Sequence, residues 1–165
     1  MRTITRTAFA IAGAVALVGG ASMSASAADT TATVEVTAGG LTISAPATVA
    51  LSNAAPGTTA TAAFGATTVS DLTADADGWV AAVTVSDFVG ADAANVIPAA
   101  RFSYTAAAPT TTGTSTVATD DDTDTMTATA VVGNNTATWG STIGLTIPAD
   151  ALADIYTATI TSSVL

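Results

Sequence analysis

Apolar and polar residues alternate one for one along segment after segment of this chain, and that period of two restricts what it can fold into. In Trp79-Val80-Ala81-Ala82-Val83-Thr84-Val85, the residues Trp79, Ala81, Val83 and Val85 share one face, and Val80, Ala82 and Thr84 the other. Successive side chains of a β-strand are arranged in this way. The preceding Asp75-Ala76-Asp77-Gly78 reads as a tight turn, because Asp and Gly tolerate the backbone conformations such turns need. Trp79 is one of only 2 tryptophans. A buried aromatic contributes ~150–250 Å² of area, so the core is expected to grow around it.

The alternation recurs along the chain. Residues 31–37 place Ala32, Val34 and Val36 on one face of a strand, and Gly39-Gly40 then turns the chain. Leu41 and Ile43 begin a strand that Pro46 ends, and residues 48–52 bring Val49 and Leu51 together. Residues 53–57 form a turn around Pro56-Gly57. Residues 59–72 read as two strands, or as one with a bulge at Gly65. Residues 89–97 read as a loop, and residues 100–105 put Phe102 and Tyr104 on one face. Residues 107–124, rich in Thr, Pro, Gly and Asp, read as a long mobile loop. Alternation resumes through Met126, Ala128, Ala130 and Val132, and Gly133-Asn134-Asn135 reads as a turn. Residues 136–139, 143–147 and 156–165 are the closing strands, with residues 148–154 linking the last two. About eight to ten short strands, frequent turn signals and no long helix past the N-terminal segment predict an all-β fold. The expected architecture is an antiparallel β-sandwich, immunoglobulin-like.

The N-terminus has a different character. Arg2 and Arg6 precede an apolar run from Ala8 to Val18, and Ala25-Ser26-Ala27 is a small-x-small site. Basic, apolar and cleavable parts in that order mark residues 1–27 as a secretory signal peptide. The run is short of the ~20 residues a membrane span needs. Cleavage after Ala27 would remove 27 of 165 residues and leave one domain of 138, residues 28–165. It would also leave Arg101 alone against 13 acidic residues, a formal charge of −12, with no Lys, His or Cys. Such a chain repels nucleic acid and anionic lipid, so neither is an expected partner, and no membrane insertion is expected after cleavage. Packing and backbone hydrogen bonds must hold the fold without disulfides, which one core of this size can do.

The chain resembles the WxL domain family of Gram-positive surface proteins. The resemblance rests, in order, on Val34-Glu35-Val36-Thr37-Ala38-Gly39-Gly40-Leu41-Thr42-Ile43-Ser44, Val69-Ser70-Asp71-Leu72, and Gly78-Trp79-Val80-Ala81-Ala82-Val83. It continues through Ile97-Pro98, Tyr104 and the closing Ala153-Asp154-Ile155-Tyr156-Thr157-Ala158-Thr159-Ile160. It implies a secreted all-β protein associated non-covalently with the cell wall and assembling with other surface proteins. The first Trp-x-Leu would fall at Trp79-Val80-Ala81, which keeps Trp only, and Ser162-Ser163-Val164 stands in place of the second.

The residues offer little chemistry. General acid–base and nucleophilic catalysis draw on His, Lys, Cys or a tuned carboxylate pair. The first three are absent past residue 27, and Glu35 is the only Glu, so no enzyme and no cofactor are expected. Zinc lacks its usual His and Cys ligands. The carboxylates Asp120, Asp122 and Asp124 are the weak metal candidates in Asp120-Asp121-Asp122-Thr123-Asp124. Against a calcium-hand loop begun at Asp120, Thr125 stands where Gly is needed and Val131 where Glu is needed, so a solvated acidic loop is the expected reading.

Trp79, heading an apolar face, reads as core. Trp139, between Thr138 and Gly140, stays open between core and a flat sugar-stacking platform, with Tyr104 the second stacking candidate. Tyr156 opens the last strand where sandwiches use a Tyr whose hydroxyl ties back to upstream backbone, and Asp154 is expected to take positive φ there. The expected function is a secreted, non-catalytic surface module binding wall glycan or other surface proteins through neutral contacts. The alternative is a structural subunit that self-associates through strand edges into a fibre or coat.

Overall fold

A 22-residue strand, Thr125–Thr146, forms the spine of the computed structural model, which describes residues 30–120 and 125–165. Nine strands precede, include or follow it: β1 Leu41–Ser44, β2 Thr59–Asp71, β3 Trp79–Val85, β4 Phe88–Val89, β5 Val96–Ile97, β6 Phe102–Ala106, β7 Thr110–Asp120, the spine β8, and β9 Ile160–Val164. A 3-10 turn at Ala99–Arg101 is the one helical element among the described residues.

Both edges of the spine are paired by chain running antiparallel to it. On one side β2 pairs from Thr59↔Thr146 to Asp71↔Asn135, and β3 follows at Trp79↔Ala128. On the other, β6 pairs from Phe102↔Leu145 and β7 continues to Asp120↔Thr125. β1 extends the sheet beyond β2, β9 extends it beyond β3, and β1 and β9 come into contact, so the sheet nearly closes on itself. The small β4–β5 ladder covers one end. The fold is thus the expected all-β, antiparallel, sandwich-like one with nine strands.

The core fills the space this sheet encloses. Trp79, Met126 and Trp139 form one cluster, Phe64, Tyr104 and Ile143 a second, and Phe88, Ile97 and Leu145 a third. The buried face of β3 carries Trp79 and Ala81, as its alternation requires. The irregularity in β2 falls between Ala63 and Gly65, where the bulge was expected.

Four sequence expectations are corrected. Residues 31–37 form no strand; Val34 is 86% and Val36 78% exposed. Gly39-Gly40 is not a turn but leads into β1, with the Gly39 amide donating to the Leu72 carbonyl at 2.6 Å. Most of the expected loop over residues 107–124 is β7, an exposed strand whose Thr-rich, β-branched sequence suits a ladder. It buries little apolar area, so no apolar alternation announces it. The expected turn at Gly133-Asn134-Asn135 lies inside β8. There the buried phase slips by one residue: Met126 and Ala128 point in, Ala130 takes φ 51°, and Val131, Asn135, Ala137 and Trp139 point in after it. A bulge thus exposes Val132, which simple alternation would bury.

Asp75-Ala76-Asp77-Gly78 does bend the chain, with the Asp77 amide donating to the Asp75 carboxylate. It joins β2 to β3 along one edge of β8 and closes no hairpin between them. No helix among the described residues is long and apolar enough to cross a membrane. The signal-peptide reading of residues 1–27 lies outside the described residues.

Candidate functional site

The two residues expected to stack on sugar are buried. Trp139 is 4% and Tyr104 6% exposed, and the Trp139 indole N–H donates to the Tyr104 hydroxyl at 3.0 Å. Both point inward from β8 and β6, and Phe64 packs edge-on against Tyr104 with centroids 5.9 Å apart. Neither ring presents a flat face to solvent, so the sugar platform is withdrawn. Of the weak metal candidates, Asp120 ends β7 opposite Thr125, and Asp122 and Asp124 lie outside the described residues. No group of three or more metal-ligating side chains occurs among the described residues.

One buried polar network lies beside the tryptophans. Trp79 Nε1–H donates to Asn135 Oδ1 at 3.3 Å, and Asn135 Nδ2 donates to Asp71 Oδ2 at 2.8 Å. The other Asp71 oxygen accepts from the Thr73 amide at 3.1 Å and the Thr73 hydroxyl at 2.6 Å. Burial pushes the Asp71 carboxyl up, but the bonds from Thr73 and Asn135 outweigh it and hold the group below the usual carboxylate range. This network ties the end of β2 to the middle of β8 and is structural.

The feature with room for a partner is a groove of about 660 Å³ at the opposite end of β2. That falls in the usual range of binding sites, ~300–1,000 Å³. Its floor is built from Ala60, Phe88 and Leu145. One wall is the extended segment through Val49 and Leu51, pinned by Ser52 N–H to the Thr61 carbonyl and Thr61 N–H to Ser52 Oγ, both at 3.0 Å. The other wall is the segment from Ala151 to Ala158, which displays Leu152 and Ile155, 65% and 79% exposed.

Two side chains shape that second wall. The Tyr156 hydroxyl donates to the Leu152 carbonyl at 2.9 Å, the upstream tie expected of it. Asp154 does not take positive φ; its carboxylate acts instead. Asp154 Oδ2 accepts from Asn95 Nδ2 at 2.9 Å and the Asp92 amide at 3.1 Å, and Oδ1 accepts from the Ile155 amide at 2.7 Å. The bond from Asn95 and those from the backbone hold its carboxyl below the usual range. Asp154 is the one charged residue lining the groove. Its oxygens are engaged by Asn95, Asp92 and Ile155, so the groove offers apolar side chains, backbone groups and the uncharged polar side chains of Ser52, Asn53 and Thr157.

Those backbone groups matter. Among the described residues, no backbone N–H or carbonyl of residues 45–51 is hydrogen-bonded to another backbone group. The strand expected over residues 48–52 is not formed: Val49 and Leu51 are half-buried, and among the described residues Ser52 alone of this segment bonds to another backbone group, the Thr61 carbonyl. Sequence reasoning missed the groove because one wall read as a short strand and the other as a link running into the last strand, with nothing to show that the two face each other. The available signal was Leu152 and Ile155, large apolar residues in a link otherwise made of Ala, Asp and Pro.

Comparison with protein-family models, with curated proteins and with solved structures finds no match in any of the three.

Proposed function

We propose that this chain is a secreted, non-catalytic module of the Gram-positive cell surface, related to WxL domains, that binds other surface proteins through neutral contacts in the groove. The observation that carries this reading is a groove on a strongly acidic molecule, one wall of which, residues 45–51, makes no backbone–backbone hydrogen bond among the described residues. Anionic wall polymers repel this chain, whose net charge of −10 would become −12 on cleavage after Ala27. Binding through the groove avoids that repulsion, because its lining carries one engaged carboxylate and no other charge. An extended protein segment satisfies both features at once: main-chain groups pair along residues 45–51, and alternate side chains enter the groove. The non-catalytic reading is supported by Asp71 and Asp154, whose carboxyls are both held low, away from the near-neutral value an acid–base catalyst needs.

The test is retention on cells. Washes of intact producing cells with high salt or chelator are blotted for the native chain and for Leu152→Asp/Ile155→Asp. Retention of the native chain and release of the variant is the expected outcome. Equal retention of both would refute the groove as the binding face.

A further inference from the structure

We propose that the interior of the sheet is a binding site for one water molecule, which bridges the Thr67 hydroxyl of β2 to the Tyr104 hydroxyl of β6. The site is separate from the groove and does not depend on what the groove binds.

The first observation is a hydroxyl enclosed by the core. Thr67 is 0% exposed, and among the described residues its Oγ1 has no hydrogen-bond partner. It pairs with Trp139 across the β2–β8 ladder, so its side chain shares the inner face with that indole. A valine would fill the same volume. An unbonded hydroxyl in apolar surroundings carries a desolvation cost that valine would avoid.

The second observation is the proton of Tyr104. The Tyr104 oxygen accepts the Trp139 indole N–H at 3.0 Å. A phenol also has its own proton to donate. Among the described residues nothing accepts that proton, and Thr67 is not bonded to Tyr104 directly.

The third observation is room. Thr67 and Tyr104 line one small cavity together with Trp139, Met126, Ala81 and Ile43. It leaves about 10 Å³ for the centre of a water-sized sphere, which matches a single water. A water there accepts the Tyr104 proton and bonds to Thr67 Oγ1. Those partners stand at the lower end of the roughly two to four that a buried water takes. No charged side chain lines the cavity, so a bare ion would be enclosed without compensation. The volume holds nothing larger than water. β2 and β6 pair with opposite edges of β8, and the water ties them across it. It also fixes the Tyr104 hydroxyl with its oxygen toward Trp139.

The test is a crystal structure of the full chain at a resolution that shows ordered solvent, for the native protein, Thr67→Ser and Thr67→Val. A solvent peak within ~3.2 Å of both hydroxyl oxygens is expected in the native protein. Thr67→Ser should keep that peak, and Thr67→Val should lose it. No peak in the native protein, or one that persists in Thr67→Val, would overturn the proposal. Denaturant titration adds a second readout through Thr67→Val, Tyr104→Phe and the double variant. Each single change should raise the unfolding constant. The double variant should fall short of the product of the two by at least ~threefold, because both act on one water. A Thr67→Val protein more stable than the native one, or effects that simply multiply, would mean a dry cavity and sink the proposal.

Discussion

The indole of Trp79 lies stacked on that of Trp139, with ring centroids 6.4 Å apart and planes within 16° of each other. Each ring also sends its N–H into a different polar partner, Asn135 for Trp79 and Tyr104 for Trp139. The pair therefore couples the apolar core to two hydrogen bonds, and both tryptophans work as structure.

The Trp139–Tyr104 bond gives a measurable coupling. Tyr104→Phe strips the indole N–H of its buried acceptor and should cost ~1–3 kcal/mol of unfolding free energy. Trp139→Phe loses the same bond together with stacking area. The double variant should cost less than the sum of the two, because the second change leaves nothing further unpaired. Denaturant titration of the four proteins measures this. Strict additivity would mean that the bond is not formed in solution.

Acid should loosen the fold through Asp71 and Asp154. Both folded-state carboxyls are held below the unfolded value of ~3.9. Their contribution is fully present above about pH 5 and is lost as pH falls below ~4 through the lowered folded values. Asp71→Asn should flatten this dependence, since the amide carries no proton-linked charge. Thermal melts between pH 7 and pH 3 report it. A native chain that keeps the same midpoint throughout would contradict the bonding described for both groups.

How far the sequence carried the fold follows from what each segment buries. β2 and β3 were legible because one face is buried and the other is not, so their apolar residues recur with period two. β7 was not, since its contribution is a backbone ladder to β8 and a ladder leaves no apolar pattern. The continuity of β8 was hidden by Gly133-Asn134-Asn135, whose turn-like composition serves a positive φ at Gly133 and a register irregularity inside a paired strand. Trp139 followed the same logic. Its Gly140 neighbour suggested an open site, but burial is set by its phase on β8, which the bulge at Ala130 decides. The groove was the least legible feature, being an arrangement of two connectors distant in sequence. Tyr156 could be placed because its role needs only a local tie, four residues back.

Gly113 and Gly133 separate conformation from space. Both take positive φ, 82° and 64°. A Cβ on Gly133 would meet nothing within 4 Å, whereas one on Gly113 would run into the Asn134 carbonyl and Asn135 across the ladder. Gly133→Ala should cost only the left-handed backbone penalty, ~1–2 kcal/mol. Gly113→Ala should add ~1–3 kcal/mol for the displaced β8 backbone. Equal midpoints in urea would refute the close approach of β7 to β8 at Gly113.

Tyr156 links stability to the groove. Tyr156→Phe removes the bond to the Leu152 carbonyl and should cost ~1 kcal/mol. Its ring is half-buried against the cluster of Phe88, Ile97 and Leu145. Tyr156→Ala should therefore cost more than Tyr156→Phe but less than the ~3–5 kcal/mol of a fully buried aromatic. Hydrogen exchange at residues 151–155 should rise in Tyr156→Phe, with β8 unchanged, because the released carbonyl belongs to the groove wall alone. A uniform rise across the sheet would mean that the bond supports the whole fold.

Leu152→Asp and Ile155→Asp change side chains that are mostly in solvent, so each should move stability by less than ~0.5 kcal/mol. Each also sets a charge in an apolar groove where a partner's residues would enclose it, and an enclosed, unpaired charge is strongly unfavourable. Binding to isolated envelopes should therefore fall at least tenfold while the melting curve stays in place. Salt acts in the opposite sense on the native chain. Raising ionic strength to ~0.1 M shortens the screening length to ~10 Å and weakens the repulsion between this acidic chain, of net charge −10, and the anionic wall of the proposed attachment. Apolar and backbone contacts lose little by that screening, so retention should hold or rise with salt and be indifferent to chelator. Binding that falls on chelation and returns with calcium would instead assign attachment to bridged carboxylates, with Asp120, Asp122 and Asp124 the first to neutralise.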